Sequence, residues 1–273
     1  MVSKITGGDT QFLFSAEILK KYNIKYYRCK DTGFIQTESP FWLTEAYSSA
    51  ITSLDLGLLK RNIYYSEKVE KVIFNHFNCD ATFLDYAGGY GTFTRLMRDK
   101  GFNFYHTDKF CENLFAKHFE LGDLEDGHQF ELLTAFELFE HLVNPLEEIT
   151  KMLNYSDSIL FSTELVPQST LQTVDDWWYF SQETGQHISF YTLESLEYIA
   201  KQIGCNVYSN GSALHLLTKR TFKENPLDES KKDPFLIRKL KKLLLELQPA
   251  QERTSLLQQD WEQIKRLINT SEY

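Results

Sequence analysis

The sequence predicts an α/β fold built on a mostly parallel sheet, and three observations predict it. From about residue 81 onward, apolar runs suited to buried strands alternate with stretches of helical periodicity. One such run, Phe83-Leu84-Asp85, ends in an acid and leads into Gly88, Gly89 and Gly91. Near the end of this region Asn210-Gly211 separates two short strand-like runs, which marks a hairpin and adds an antiparallel strand to a parallel set.

The elements follow in order. Residues 1–80 read as an N-terminal cap. Within it, Lys25–Cys29 and Gly33–Thr37 are two short strands around the turn Lys30-Asp31-Thr32, and residues 43–77 carry helical spacing. Residues 81–219 form the core. Its strands fall near 81–86, 102–107, 131–136 and 157–163, with a weakly marked one near 117–121. Helices begin after the glycines at Phe93 and after Asn144, a capping residue placed before Pro145. Leu193–Ile203 is an amphipathic helix ended by Gly204, and residues 205–209 and 213–218 flank the Asn-Gly turn. Residues 220–273 change character. A polar linker at 223–234 precedes two helical segments, one near 235–245 with Arg238, Lys239, Lys241 and Lys242 on its outer face, the other near 249–268.

Strand, acid and glycine turn are the means by which a nucleotide-like ligand is held at the carboxyl edge of a parallel sheet. A dinucleotide fingerprint would need a third glycine where Thr94 stands, and a phosphate loop would need Gly-Lys-Ser/Thr, which is not present. Asp85 to Gly91 instead resembles the glycine-rich loop of the Rossmann-like S-adenosylmethionine-dependent methyltransferases, with Ala87 where that family usually has glycine. The second strand ending in Asp108, the run Phe130–Leu142 and the strand Ser158–Thr163 extend the resemblance over about residues 81–219. It is closest in pattern to the sugar and nucleotide-sugar methyltransferases. The resemblance implies a seven-stranded, mostly parallel sheet with a terminal antiparallel hairpin, an N-terminal cap over the site, and S-adenosylmethionine as cofactor. It also implies that Asp85, Ala87, Gly88, Gly89 and Gly91 shape the cofactor loop and that Asp108 meets the ribose hydroxyls. Phe136 and Glu137 would line the methionine portion, and Gly122-Asp123-Leu124 is one place for an adenine contact.

The acceptor side is expected after the fifth strand. Trp177, Trp178 and Tyr179 stand beside Gln186 and His187, with Glu164 just upstream. Aromatic faces beside carboxylate, amide and imidazole suit a sugar or other polyhydroxy ring. Nucleotide-sugar methyltransferases carry a glutamate–histidine pair near this point, and here it is Gln186-His187. His187 is the expected general base, for O- or C-methylation. His141 is expected to position the helix that follows it, and His215 to pack within the terminal strand. The segment Cys29-Lys30-Asp31-Thr32-Gly33 resembles a small zinc module found ahead of some sugar methyltransferases, but its second cysteine is missing, so no metal is expected.

Composition narrows the classes. A net charge of −9 argues against a broad nucleic-acid-binding face. Four scattered cysteines fit a reducing cytoplasm, and no apolar run reaches membrane-spanning length. The C-terminal helices could pack on the core or join copies of the chain into a homo-oligomer. Two rival functions stay open at this level: a methyltransferase of an aromatic or quinone-like metabolite, whose pocket would be apolar, and a catalytically silent methyltransferase-fold subunit. A nicotinamide-dependent oxidoreductase is more distant.

Overall fold

The computed structural model describes residues 1–48, 52, 54–228 and 253–270. Two sheets organise them. The first is antiparallel and joins β1 (Thr10–Ile18), β2 (Tyr22–Cys29), β3 (Ile35–Thr37) and the later β8 (Ser189–Phe190) in that order. β1 alternates exposed and buried residues along its second half, as a strand with one wet face does. Sequence reading anticipated β2 and β3 but not β1. β8 adds a strand contributed from 150 residues downstream, so this sheet is tied to the core (Ile35 pairs Phe190).

The second sheet is central and has the order β5-β4-β6-β7-β10-β9. β4 (Thr82–Tyr86), β5 (Asn103–Thr107), β6 (Leu132–Ala135) and β7 (Ser158–Ser162) are parallel. β10 (Leu214–Thr218) inserts antiparallel between β7 and β9 (Asn206–Ser209). β6 and β7 are buried along their whole length, which matches their continuous apolar runs. The sheet has six strands among the described residues, not seven. The segment near 117–121 makes only a single bridge, His106 to Glu120. A reciprocal capping pair, Glu120 with Asp123, turns the chain at once into the 3-10 turn Leu121–Asp123 and ends the pairing there.

Helices cover both faces. The expected cap helix over 43–77 is broken into α1 (Leu43–Ala46) and α2 (Leu58–His76). α3 (Thr92–Asp99), α4 (Pro145–Met152) and α5 (Leu193–Gln202) follow β4, β6 and β8. Asn144 does stand at the N-cap of α4 with Pro145 in its first turn, and Thr192 caps α5 by accepting from the Ser195 amide at 3.0 Å. α6 (Leu257–Thr270) docks on α3. There buried Asp260 accepts two hydrogen bonds from Arg98, at 2.6 and 2.8 Å, and a third from Arg95 at 2.8 Å. The expected helix near 235–245 lies outside the described residues.

Candidate functional site

β4, β5 and β6 end on the same edge of the central sheet, because they are parallel neighbours. The residues that follow them therefore meet. The glycine turn after β4 is held from below by Asp85. This carboxylate is buried, and its oxygens accept from the hydroxyls of Thr94 (3.0 Å) and Thr134 (3.1 Å). Burial pushes its pKa up to about 6 against the opposing pull of His106 and the two hydroxyls. Thr94, which breaks the dinucleotide fingerprint, is thus the residue that fixes Asp85.

Close packing explains the turn's small residues. A Cβ on Gly88 would lie 2.4 Å from Asp85 Oδ2, and one on Gly91 would lie 2.4 Å from Asn113 Oδ1. Gly91 also caps α3 at φ +80°, where glycine is favoured. Ala87 adopts φ +57°, a left-handed conformation that costs an alanine about 1 kcal/mol. The unusual alanine keeps the glycine shape and stores the difference as strain.

Asp108 lies beside this turn. Its Oδ2 accepts from the Gly89 amide at 2.9 Å, and its Oδ1 accepts from the Phe110 and Cys111 amides at 2.7 Å each. Those bonds engage three of about four lone-pair sites on a carboxylate, leaving one for a ligand hydroxyl. An open cleft of ≈ 540 Å³ starts here and runs along His106, Asn113, Glu120, Gly122 and Asp123. Asp108, Gly122 and Asp123 therefore face one space, and Leu124 of the expected adenine segment does not line it.

Phe136 and Glu137 leave β6 in different directions. Phe136 stacks on Tyr65 of α2, with ring centroids 4.3 Å apart, and belongs to the apolar layer. Glu137 sits at φ +51° and is partly exposed. Its amide donates to Ser162 Oγ (2.7 Å), that hydroxyl donates to its carboxylate (2.7 Å), and Arg61 of α2 approaches within 3.5 Å.

One turn further lies a group that sequence reading did not assemble. Glu140, His141 and His187 place one potential ligand atom each within 4.8 Å of one another. Glu140 is fully buried, and among the described residues neither carboxylate oxygen has a hydrogen-bond partner. The nearby hydroxyls of Tyr179 and Thr163 temper the carboxyl without reaching hydrogen-bond geometry; they lie 3.3 Å from each other instead. Burial, then the charge of Glu137, pushes its pKa up to about 8. The two imidazoles stand perpendicular, with centroids 4.9 Å apart. His187 Nδ1 lies 2.7 Å from the Tyr179 carbonyl, and His141 Nδ1 lies 3.1 Å from the Gln186 carbonyl. Carbonyls only accept, so each Nδ1 carries the proton and each Nε2 keeps its lone pair. Burial holds both imidazoles neutral, with pKa values lowered to about 4 for His187 and about 3 for His141. The ring of His141, expected to position the following helix, also faces His187. His215 does pack within the sheet, between Ser209 Oγ (2.9 Å) and the Thr163 carbonyl (3.0 Å).

The expected aromatic platform does not form. Trp177 is buried among Tyr179, Phe180 and Phe190 in the core of the antiparallel sheet. Trp178 is 75% exposed, and the ring of Tyr179 is buried against His187. The 3-10 turn Trp178–Phe180 sends successive rings in different directions. Gln186 is likewise buried, its amide donating to the Ala46 carbonyl at 2.9 Å. Glu164 is half-buried, and burial followed by the charge of Glu137 raises its pKa.

Comparison with known proteins accords with this edge. A family model described as a methyltransferase domain matches residues 60–210, more than half of the chain. No curated protein matches. Among solved structures, the chain is similar to a Burkholderia thailandensis 1,6-didemethyltoxoflavin-N1-methyltransferase with bound 1,6-didemethyltoxoflavin and S-adenosylhomocysteine (10% identity, 74% of this chain and 96% of that one, TM-score 0.48). It is also similar to the plantazolicin methyltransferase BpumL in complex with a monoazolic desmethylPZN analog and SAH (11% identity, 67% and 94%, TM-score 0.46). A third is CalO1, a methyltransferase of calicheamicin biosynthesis (15% identity, 67% and 69%, TM-score 0.41). The span of the family match decides the assignment: the chain belongs to the methyltransferase-domain family.

Proposed function

We propose that the protein transfers a methyl group from S-adenosylmethionine to a hydroxyl of a small polyhydroxy acceptor, a sugar or nucleotide-linked sugar. The observation that supports this acceptor is the polarity of the wall beyond the glycine turn. Glu137, Arg61, His141, His187 and half-buried Glu164 surround the edge after β6 and β7, where an aromatic or quinone-like acceptor would call for apolar side chains.

The residues fit the cofactor. Asp108 would take a ribose hydroxyl on its remaining lone pair, and the backbone of Gly88 to Gly91 would lie against the ligand because no side chain intervenes. Asp85 acts through the turn, since its oxygens are engaged by Thr94 and Thr134. Glu137, fixed by Ser162 and Arg61, would face the amino-acid end. The cofactor supplies an electrophilic methyl carbon on a sulfonium, and the enzyme must bring an acceptor oxygen in line with it while excluding water. His187 Nε2 would receive the acceptor hydroxyl. Held neutral by burial, it is a weak base at neutral pH, so it orients the hydroxyl more than it deprotonates it. Exposed Trp178 is the one ring of its run free to stack on a sugar.

Incubation with methyl-labelled S-adenosylmethionine and matched sets of free sugars, nucleotide-linked sugars, catechols and quinols tests this. Label in a sugar-bearing product is expected. Label confined to the aromatic set overturns the acceptor class.

A further inference from the structure

We propose that Glu140, His141 and His187 form a binding site for one divalent transition-metal ion just beyond the exit of β6, on the sheet edge that carries the glycine turn. The proposal rests on the acceptor-side reading above only for the ion's task; the site itself rests on geometry.

Three features converge. The first is the donor set. Two imidazoles and one carboxylate suit first-row ions such as Mn²⁺, Fe²⁺, Co²⁺ and Zn²⁺ better than Mg²⁺ or Ca²⁺, which prefer oxygen alone. The second is the orphaned carboxylate. Glu140 is fully buried and, among the described residues, neither oxygen has a hydrogen-bond partner, so its charged form is disfavoured until a cation meets it. The third is the support behind the ligands. Each histidine ties its Nδ1 to a backbone carbonyl, from Tyr179 or Gln186, and Tyr47 adds its hydroxyl 3.0 Å from His141 Nδ1. Metal-ligating histidines are held in this way, with the other ring nitrogen bonded so that the lone pair points at the ion. His141 Nε2 already lies 4.0 Å from Glu140 Oε1. Ligand bonds of about 2.1 Å require the three donor atoms to close in by about an ångström, within reach of small side-chain rotations.

The ion's place gives its task. The site follows β6 on the edge that carries the glycine turn, with Glu137 between the two. With the His187 Nε2 lone pair engaged by the ion, the acceptor hydroxyl would meet the ion in place of that nitrogen and be acidified by it. The acceptor oxygen's electron pair forms the new carbon–oxygen bond, the carbon–sulfur bond breaks toward sulfur, and the hydroxyl proton passes to solvent. The products are a methyl ether, S-adenosylhomocysteine and one proton.

Titration of the metal-free protein with Co²⁺ is the test, read by its visible ligand-field absorption and, in parallel, by S-adenosylhomocysteine binding. One Co²⁺ per chain is expected, not displaced by excess Mg²⁺. Glu140→Gln, His141→Ala and His187→Ala should each weaken Co²⁺ at least 100-fold, and Tyr47→Phe about tenfold. Thermal melts show which variants fold, and Glu140→Gln, nearly isosteric, keeps the test alive if a histidine variant does not. Absence of Co²⁺ binding, or an undiminished band in folded Glu140→Gln, overturns the metal site. If S-adenosylhomocysteine still binds, the methyltransferase reading stands while the metal site falls. If Co²⁺ binds and S-adenosylhomocysteine does not, the site holds and the task assigned to it falls.

Discussion

The two ends of the sheet edge are built in opposite ways. The cofactor end is local: Asp85, the glycine turn, Thr94 and Asp108 lie within 24 consecutive residues, and the two carboxylates accept from neighbouring amides and a hydroxyl. The acceptor end is assembled from distant segments: the Tyr47 hydroxyl and the Gln186 carbonyl meet His141, and the Tyr179 carbonyl meets His187, beside Glu140. The first end satisfies its buried acid with two hydroxyls, whereas the second leaves its buried acid without a partner. The difference suggests that one end is a finished cradle and the other is a site that awaits a ligand.

The sharpest way to break the contrast is Gly88→Val. Its side chain would meet Asp85 and His106 at once, so a loss of about 3 kcal/mol or more is expected, with S-adenosylhomocysteine binding abolished. Chemical denaturation measures the first and calorimetry the second. A fully stable variant that binds normally would show that the turn is not tightly held.

Two buried groups, Asp85 and His215, should also answer pH with opposite sign, while Glu140, raised to about 8, adds its own loss of stability at higher pH. Asp85 has its pKa raised to about 6, so the fold favours its protonated form. Its contribution is full below about pH 4 and is lost as pH rises through 6. His215, under the acceptor end, has its pKa lowered to about 4, so the fold favours its neutral form. Its contribution is full above about pH 6.5 and is lost as pH falls through 4. Each is worth roughly 3 kcal/mol at most, and in the wild type they oppose each other. Asp85→Asn should therefore make stability fall more steeply on acidification, and His215→Gln should flatten or reverse the slope. Equal slopes in both variants would refute this pairing.

A smaller effect should separate stability from function. Replacing Glu140 with methionine removes the unpartnered buried carboxylate, and a gain of about 2 kcal/mol is expected together with loss of methyl transfer. A destabilised variant would mean that Glu140 has a partner in solution. The smallest expected effect is Ala87→Gly, which relieves the left-handed strain for about 1 kcal/mol and leaves cofactor affinity in place. Thermal melts resolve both.

The same contrast explains how much the sequence disclosed. Asp85 to Gly91 and Asp108 were legible because the signal is contiguous: an apolar run, an acid, then glycines at fixed spacing. The terminal hairpin was legible from Asn210-Gly211, since turn chemistry is local. The run Glu137-Leu138-Phe139-Glu140-His141 was visible too, but only as the exit of a strand. Nothing in its spacing tells that His187 folds back onto it, because that contact depends on β8 pairing with β3. The aromatic run Trp177-Trp178-Tyr179 misled for the same reason. Composition gives the rings, but the 3-10 turn decides which of them is core. The missing strand near 117–121 was a matter of capping, where Glu120 and Asp123 close a turn before a ladder can extend.

The most direct test of the account is calorimetric titration of S-adenosylhomocysteine into the wild type, Asp108→Asn and His187→Ala. The account predicts one site in the wild type, affinity at least tenfold weaker in Asp108→Asn, since a hydrogen bond to a charged acceptor is lost, and affinity within twofold of wild type in His187→Ala. No binding to the wild type, or weakening in His187→Ala with Asp108→Asn unaffected, would contradict it.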